Sequence, residues 1–254
     1  MATRVRSILA CIGADQSGDV SLLARGFGFI RGRVPPDPDT SVRAEVSVLE
    51  WMRGLKGRHI HLNVIRMGFD TLSAADQATA LERIDYAIYR TRNIYRQVAL
   101  GVGRVLHWFV NAADANGRDD IGSEDESEQL WEEWSVPNGG IDVFVVRNIS
   151  DTDFVGRSPV GGSCDKDGKD DGLLGGEINR EPEGFSRSFA HEIGHFLGLS
   201  HNHGKDECPA TNAGRRRLMA QTRCAATIDL RTTVNLTSGE GTTMRRHCSV
   251  RAGC

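Results

Sequence analysis

The sequence predicts an α/β chain, α+β in the order of its elements. The expected architecture is a twisted mixed sheet with a long backing helix, a second helix near its end, and a small irregular C-terminal lobe with one helix. Three observations carry that expectation. His59–Phe69 (HIHLNVIRMGF) alternates and is rich in β-branched residues, as a strand is. An apolar stripe through Leu81, Ile84, Ile88, Tyr95 and Val98 keeps a helical period for about five turns. Ile141–Val146 (IDVFVV) is a short continuous apolar run, suited to a strand buried on both faces.

The other elements follow in order. Residues 1–58 are mixed in pattern and read as an N-terminal extension, a candidate pro-segment, with a strand pair possible in 21–34 and a proline-rich turn at 34–39. Ser73 with Asp76 three residues on resembles a capping box and opens the long helix. Val102–Val110 is a second strand, and the acidic stretch Asp114–Glu133 is expected to be an exposed loop. Leu173–Ile178 is expected as an edge strand, followed by a helix carrying Phe185, Phe189, Ile193 and Phe196 on one side. A last helix is expected from residue 237 or 238 to about Arg251. The main domain then spans 59–254, with an N-terminal lobe over 59–201 and a C-terminal lobe over 202–254.

Composition narrows the class. A chain of 254 residues can build one substantial core, and 39% hydrophobic with 26% charged residues is the balance of a folded protein. A formal net charge of −3 gives no reason to expect nucleic acid or an anionic membrane surface as partner. No apolar run reaches the ~18–20 residues of a membrane span, and no export signal is read in Ser7–Ala14. The six cysteines lack a close CxxC pair, so disulfides in an oxidising compartment are expected rather than zinc ribbons. A secreted or extracellular location follows, with connectivity left open. Four of the six lie after residue 200, so the C-terminal part should be the most heavily stapled.

The chemistry is concentrated in residues 191–201. His191 and His195 are four apart on the expected helix, so both imidazoles project from one face and can reach one zinc. Glu192 is rotated ~100° from His191 around the helix, poorly placed as a ligand but well placed to touch a water on the metal. Gly198 can take positive φ at little cost, which stops the helix and lets His201 return as the third ligand. Three neutral ligands leave zinc an open position, the mark of a hydrolytic site, and Glu192 then has a role as general base.

HEIGHFLGLSH, residues 191 to 201, resembles the zinc signature of the metzincin metalloendopeptidases, closest in feel to matrixin-like and pappalysin-like members. Leu218-Met219-Ala220-Gln221 resembles that clan's methionine turn, 18 residues after His201. The resemblance implies a zinc endopeptidase acting on protein or peptide substrates, with Met219 as the floor of the site. It also implies an extended substrate pairing with an edge strand, placed near Leu173–Ile178, and a side-chain pocket lined by 220–222. Some members carry a tyrosine two residues after the methionine; Gln221 stands there, so no such role is carried over. The reading from another class is a zinc-stabilised binding protein that has kept the motif without turnover. A cytosolic effector protease would differ only in compartment.

Weaker signals complete the set. Asp165, Asp167, Asp170 and Asp171 crowd a glycine-rich loop as in calcium sites, although the EF-hand spacing fails; Asp114–Asp120 is similar. His203 reads as a surface histidine, and His59 with His61 as a pair on one strand face. Cys11 invites a latency switch, a pro-segment thiolate on the metal, against a default of disulfide or inert thiol. No pattern speaks to oligomeric state.

Overall fold

Buried β-branched residues set the centre of the fold. In the computed structural model, which describes residues 57–252 apart from 151, 205–206, 222–223 and 225–233, the first strand β1 is Arg58–Met67. The expectations for residues 1–56, Cys11 among them, lie outside the described residues, as does Thr222. After β1 come α1 (Ala74–Arg96), β2 (Leu100–Val110), α2 (Ala112–Ala115), β3 (Asp120–Ile121), α3 (Glu124–Glu133), β4 (Ile141–Val146), β5 (Asn148–Ile149) and β6 (Gly172–Glu177). Then follow α4 (Pro182–Phe196), α5 (Asn212–Arg215) and α6 (Ser238–Met244).

The main sheet has the order β2-β1-β4-β6, and every neighbouring pair is parallel. The mixed character expected of it shrinks, among the described residues, to two isolated antiparallel bridges: Arg157 exchanges backbone hydrogen bonds with Leu174 (2.9 and 2.8 Å), and Arg251 does so with His59 of β1. Helices cover both faces. Val143 and Val145 of β4 join the core under α1 and α4, whereas Phe144 and Val146 join the core under α3. A central strand with two apolar faces is what the unbroken run IDVFVV encodes.

Helix α1 opens at Ser73, whose Oγ accepts the Asp76 N–H at 3.2 Å and donates to the Asp76 carboxylate at 2.6 Å. Its buried face runs through Ala80, Ile84, Ile88 and Tyr95, with Leu81 only at the margin. Polar ties then register α1 against the later elements. Tyr95 Oη donates to the Ala190 carbonyl at 2.7 Å, Arg83 donates to the Ile178 carbonyl at 2.7 Å, and Glu183 accepts from Tyr86 and faces Arg90. These ties fix where α4 lies on the sheet.

Two expectations are corrected here. Asp114–Glu133 is not an exposed loop, because Ile121, Leu130 and Trp131 are buried in the core under α3. The Ser123 hydroxyl caps α3 by accepting the Glu126 N–H at 3.2 Å, and Glu124, Asp125 and Glu126 sit in the first turn where the helix dipole favours negative charge. The acidic composition is thus a helix N-terminus rather than a solvated loop. The last helix ends at Met244, not near Arg251. The chain must turn there, since Cys248 is disulfide-bonded to Cys164 and Arg251 pairs with His59 in an antiparallel bridge. A second disulfide, Cys208–Cys224, staples the C-terminal lobe itself. Among the described residues no helix is long and apolar enough to cross a membrane.

Candidate metal and active site

Helix α4 begins with Pro182 in its first turn and Glu181 as cap, whose carboxylate accepts the N–H groups of Glu183 and Gly184. Phe185, Phe189, Ile193 and Phe196 are buried, as their spacing requires. The opposite side turns His191 and His195 toward the following chain. Gly198 adopts φ 94°, a left-handed conformation that ends the helix, while the Gly194 and His195 carbonyls are met by the N–H groups of Leu199 and Gly198 (3.0 and 2.8 Å). The chain then brings His201 back against the helix.

The three imidazoles converge. His201 Nε2 lies 3.1 Å from His191 Nε2 and 3.2 Å from His195 Nε2. Nitrogens at two corners of a tetrahedral zinc site, each ~2.0–2.1 Å from the ion, stand roughly 3.3–3.4 Å apart. The other ring nitrogens face backbone carbonyls: His191 Nδ1 to Leu218 at 2.7 Å and His195 Nδ1 to Leu199 at 2.6 Å. A carbonyl only accepts, so each Nδ1 carries the proton and each Nε2 of the neutral ring is bare. Two lone pairs therefore point at a third nitrogen, and a proton on His201 meets one of them at most. A cation meets all three.

Electrostatics prepare the same state. Burial holds His191 well below the ordinary histidine range, assisted by the neighbouring His195. Burial takes His195 down to about 4 and lowers His201 as well. The three imidazoles are thus already neutral at neutral pH. Glu192, 5% exposed, is pushed up to about 8 by burial, which a divalent cation beside it would oppose. Gly156 lies against it. A Cβ there would stand 2.8 Å from Glu192 Cγ and 3.1 Å from Oε1, so only glycine lets that backbone approach.

These shifts predict the behaviour of the metal-stripped chain. Each histidine has a depressed pKa in the fold, so the unfolded state binds more protons below about 6.5 and stability falls as pH drops through that window, by about 3 kcal/mol down to pH 4 for His195 alone. Glu192 acts in the opposite sense. Its raised pKa makes a contribution that is complete below the unfolded value and lost as pH rises through about 8. Urea unfolding of the metal-stripped chain should therefore show a stability maximum near roughly pH 6.5. A midpoint that stays level between pH 6.5 and 4.5 would contradict this account of the histidines.

The resemblance implies Met219 as the floor of the site. Met219 is fully buried beneath α4, and a Cβ on Gly194 would stand 2.9 Å from its Sδ. Between the two histidines the helix carries its smallest residue where the sulfur passes. Glu192, by contrast, lies against the backbone of Gly156.

The remaining candidates do not assemble. Among the described residues, the ligand-atom clusters are His191/His195/His201 and Cys164/His247/Cys248, and the two sulfurs of the latter are bonded to each other. Asp165, Asp167 and Asp170 are exposed and Asp171 is buried, and their carboxylates form no such cluster. The loop supplies a cation of its own, Lys166, whose Nζ is 2.7 Å from the fully buried Asp142 carboxylate. In the Asp114–Asp120 loop, Asp119 pairs with Arg147 while Asp120 accepts from Asn148 and Ser150. His203 is exposed. His59 and His61 are buried with ring centroids 5.0 Å apart, and His61 Nδ1 accepts the Arg104 N–H.

A family model described as metallo-peptidase family M12 (Reprolysin_5) matches residues 73–230, more than half of the chain. The chain belongs to that family. This M12 member is a zinc metallopeptidase, as the metzincin resemblance implied, and the matrixin-like and pappalysin-like branches are left undivided. Among solved structures, the archaemetzincin of Methanopyrus kandleri is similar at 14% identity over 74% of this chain and 95% of that one, with a TM-score of 0.45. No curated protein matches.

Sequence reasoning about this M12 chain passed over three features. The Leu218 and Leu199 carbonyls fix the histidine tautomers, and no side-chain pattern announces a backbone acceptor. Gly156 is one glycine among 29. Arg187 carried a usable signal: it is a charge four residues before His191 on the same helical face, in a helix that is otherwise buried.

Proposed function

We propose that the chain is a zinc endopeptidase in which His191, His195 and His201 hold the metal and Glu192 is the general base. The observation that carries this reading is the meeting of three Nε2 atoms, two of them locked as acceptors by carbonyls behind them. Zinc bound there supplies a Lewis acid and brings the pKa of water from ~15.7 toward ~7. Glu192 takes a proton from the attacking water on its carboxylate and delivers it to the leaving amine. Burial keeps that carboxylate away from competing solvent, and the Gly156 backbone limits where it can swing. Met219 supports the helix from below without ligating.

The placement of substrate differs from the sequence expectation. The β6 strand is at the edge of the main sheet, but its outer side already bonds Arg157. Backbone groups alternate along an extended segment, so those of Gly156 and Ser158 point to the side away from β6. We assign the extended substrate to that side, where Gly156 brings it beside Glu192. Calcium has no part in this reading. The two disulfides support an enzyme that works outside the reducing cytosol.

The test is cleavage of an unfolded protein by the full chain, with and without a chelator, followed by titration of zinc into the stripped protein. Cleavage should vanish with chelator and return at about one zinc per chain. Zinc binding without any cleavage would favour the binding-protein reading, and cleavage indifferent to chelator would end the metallopeptidase mechanism for this site.

A further inference from the structure

Arg187 is 1% exposed, and among the described residues no carboxylate meets it. A buried guanidinium without a counter-ion needs a strong local reason. Its terminal nitrogens donate to backbone carbonyls, Nη2 to Arg217 at 2.8 Å and to Ala220 at 2.9 Å and Nη1 to Arg215 at 3.3 Å, while Nε meets no acceptor among the described residues. Arg217 and Ala220 bracket the methionine turn. Between them, the Leu218 carbonyl accepts His191 Nδ1–H at 2.7 Å and the Met219 carbonyl accepts the Asn202 N–H at 3.2 Å. All four consecutive carbonyls of 217–220 are therefore engaged, three of the bonds coming from α4 side chains one turn apart.

We propose that Arg187 is a positioning residue for the metal centre, acting through the Leu218 carbonyl on the ring of His191. Peptide units are rigid planes. When one guanidinium holds the planes on either side, the Leu218 carbonyl between them has a single direction, and that direction sets the tautomer and tilt of His191. A lysine cannot substitute fully, because one ammonium on a flexible stem does not span two carbonyls as a planar fork does. Burial lowers the Arg187 pKa only to about 10, so the fork stays charged at neutral pH. The inference rests on the zinc reading of the histidine cluster.

The test uses the full chain and two variants, Arg187→Met and Arg187→Lys. Zinc affinity would be measured by competition with a chromophoric chelator, alongside thermal unfolding of the metal-stripped proteins and kcat and KM at saturating zinc. Loss of an outer partner of a metal-bound histidine typically weakens binding about 10–100-fold, the drop expected for Arg187→Met, with Arg187→Lys in between. At saturating zinc, kcat should fall while KM holds within about twofold. Arg92→Met is the control: Arg92 also donates to backbone carbonyls, of Val102 and Gly103, away from the methionine turn. It should lower stability and leave zinc affinity unchanged. If Arg187→Met destabilises the fold yet binds zinc like the parent chain, the positioning role is overturned and Arg187 is only structural. Should that variant fail to fold, Arg187→Lys decides, and parental zinc affinity in it overturns the role equally. Absence of zinc binding in the parent chain would instead remove the reading beneath it.

Discussion

In the Glu192→Gln variant, kcat/KM on an unfolded protein should fall about 10²–10⁴-fold while zinc stays bound at the parental level. The amide has nearly the shape of the carboxylate, so it fits against Gly156 without new strain, and the fold should be unaffected. It cannot take a proton at neutral pH, so the step assigned to Glu192 is lost. Metal content should not change, because Glu192 is not among the side chains whose ligand atoms converge. Two assays on one preparation, zinc by atomic absorption and turnover by peptide release, check this together. Turnover within threefold of the parent would remove Glu192 from the mechanism, and a loss of zinc in step with activity would recast it as a ligand.

Replacing Cys164 and Cys248 together by serine should cost about 4–5 kcal/mol of stability in the loop-entropy account, against about 3 for the Cys208–Cys224 pair. The difference arises because the first disulfide closes a sequence separation of 84 residues and the second only 16. The longer link also has a structural role next to the site. Cys164 follows Gly161 and Gly162, whose N–H groups bond the His195 and Phe196 carbonyls at the C-terminal end of α4. Cys248 belongs to the final segment that pairs with β1 through Arg251. Urea midpoints of the two double-serine variants, measured with zinc removed, should rank in that order. A smaller loss from the Cys164/Cys248 pair than from the other would show that native packing, and not chain entropy, governs these links.

Much of this molecule is legible in its residues. The α1 stripe and the α4 face each repeat a period that burial then follows, because one face of each helix had to be apolar, and the β4 run is unbroken because both of its faces are buried. The histidine spacing was legible for a stricter reason. Positions four apart on a helix and a glycine three past the second histidine leave little freedom in where the third ring can go. The misread stretch, Asp114–Glu133, shows where local pattern fails. Its helix buries just Leu130 and Trp131 as large apolar residues, too few to mark a stripe, while the acidic first turn that stabilises it resembles a solvated loop.

By itself, then, the sequence determined the main strands, the two long helices and the spacing that brings the three histidines together, since each depends on neighbours within a few residues or on a motif of fixed length. Tertiary structure alone decided which cysteines pair, that the outer side of β6 is already taken, that Gly156 rests on Glu192, and that Arg187 grips the turn below the histidines. Those relations join residues 16 to 84 positions apart in the chain, separations at which local periodicity carries no information and only packing of whole faces brings partners together.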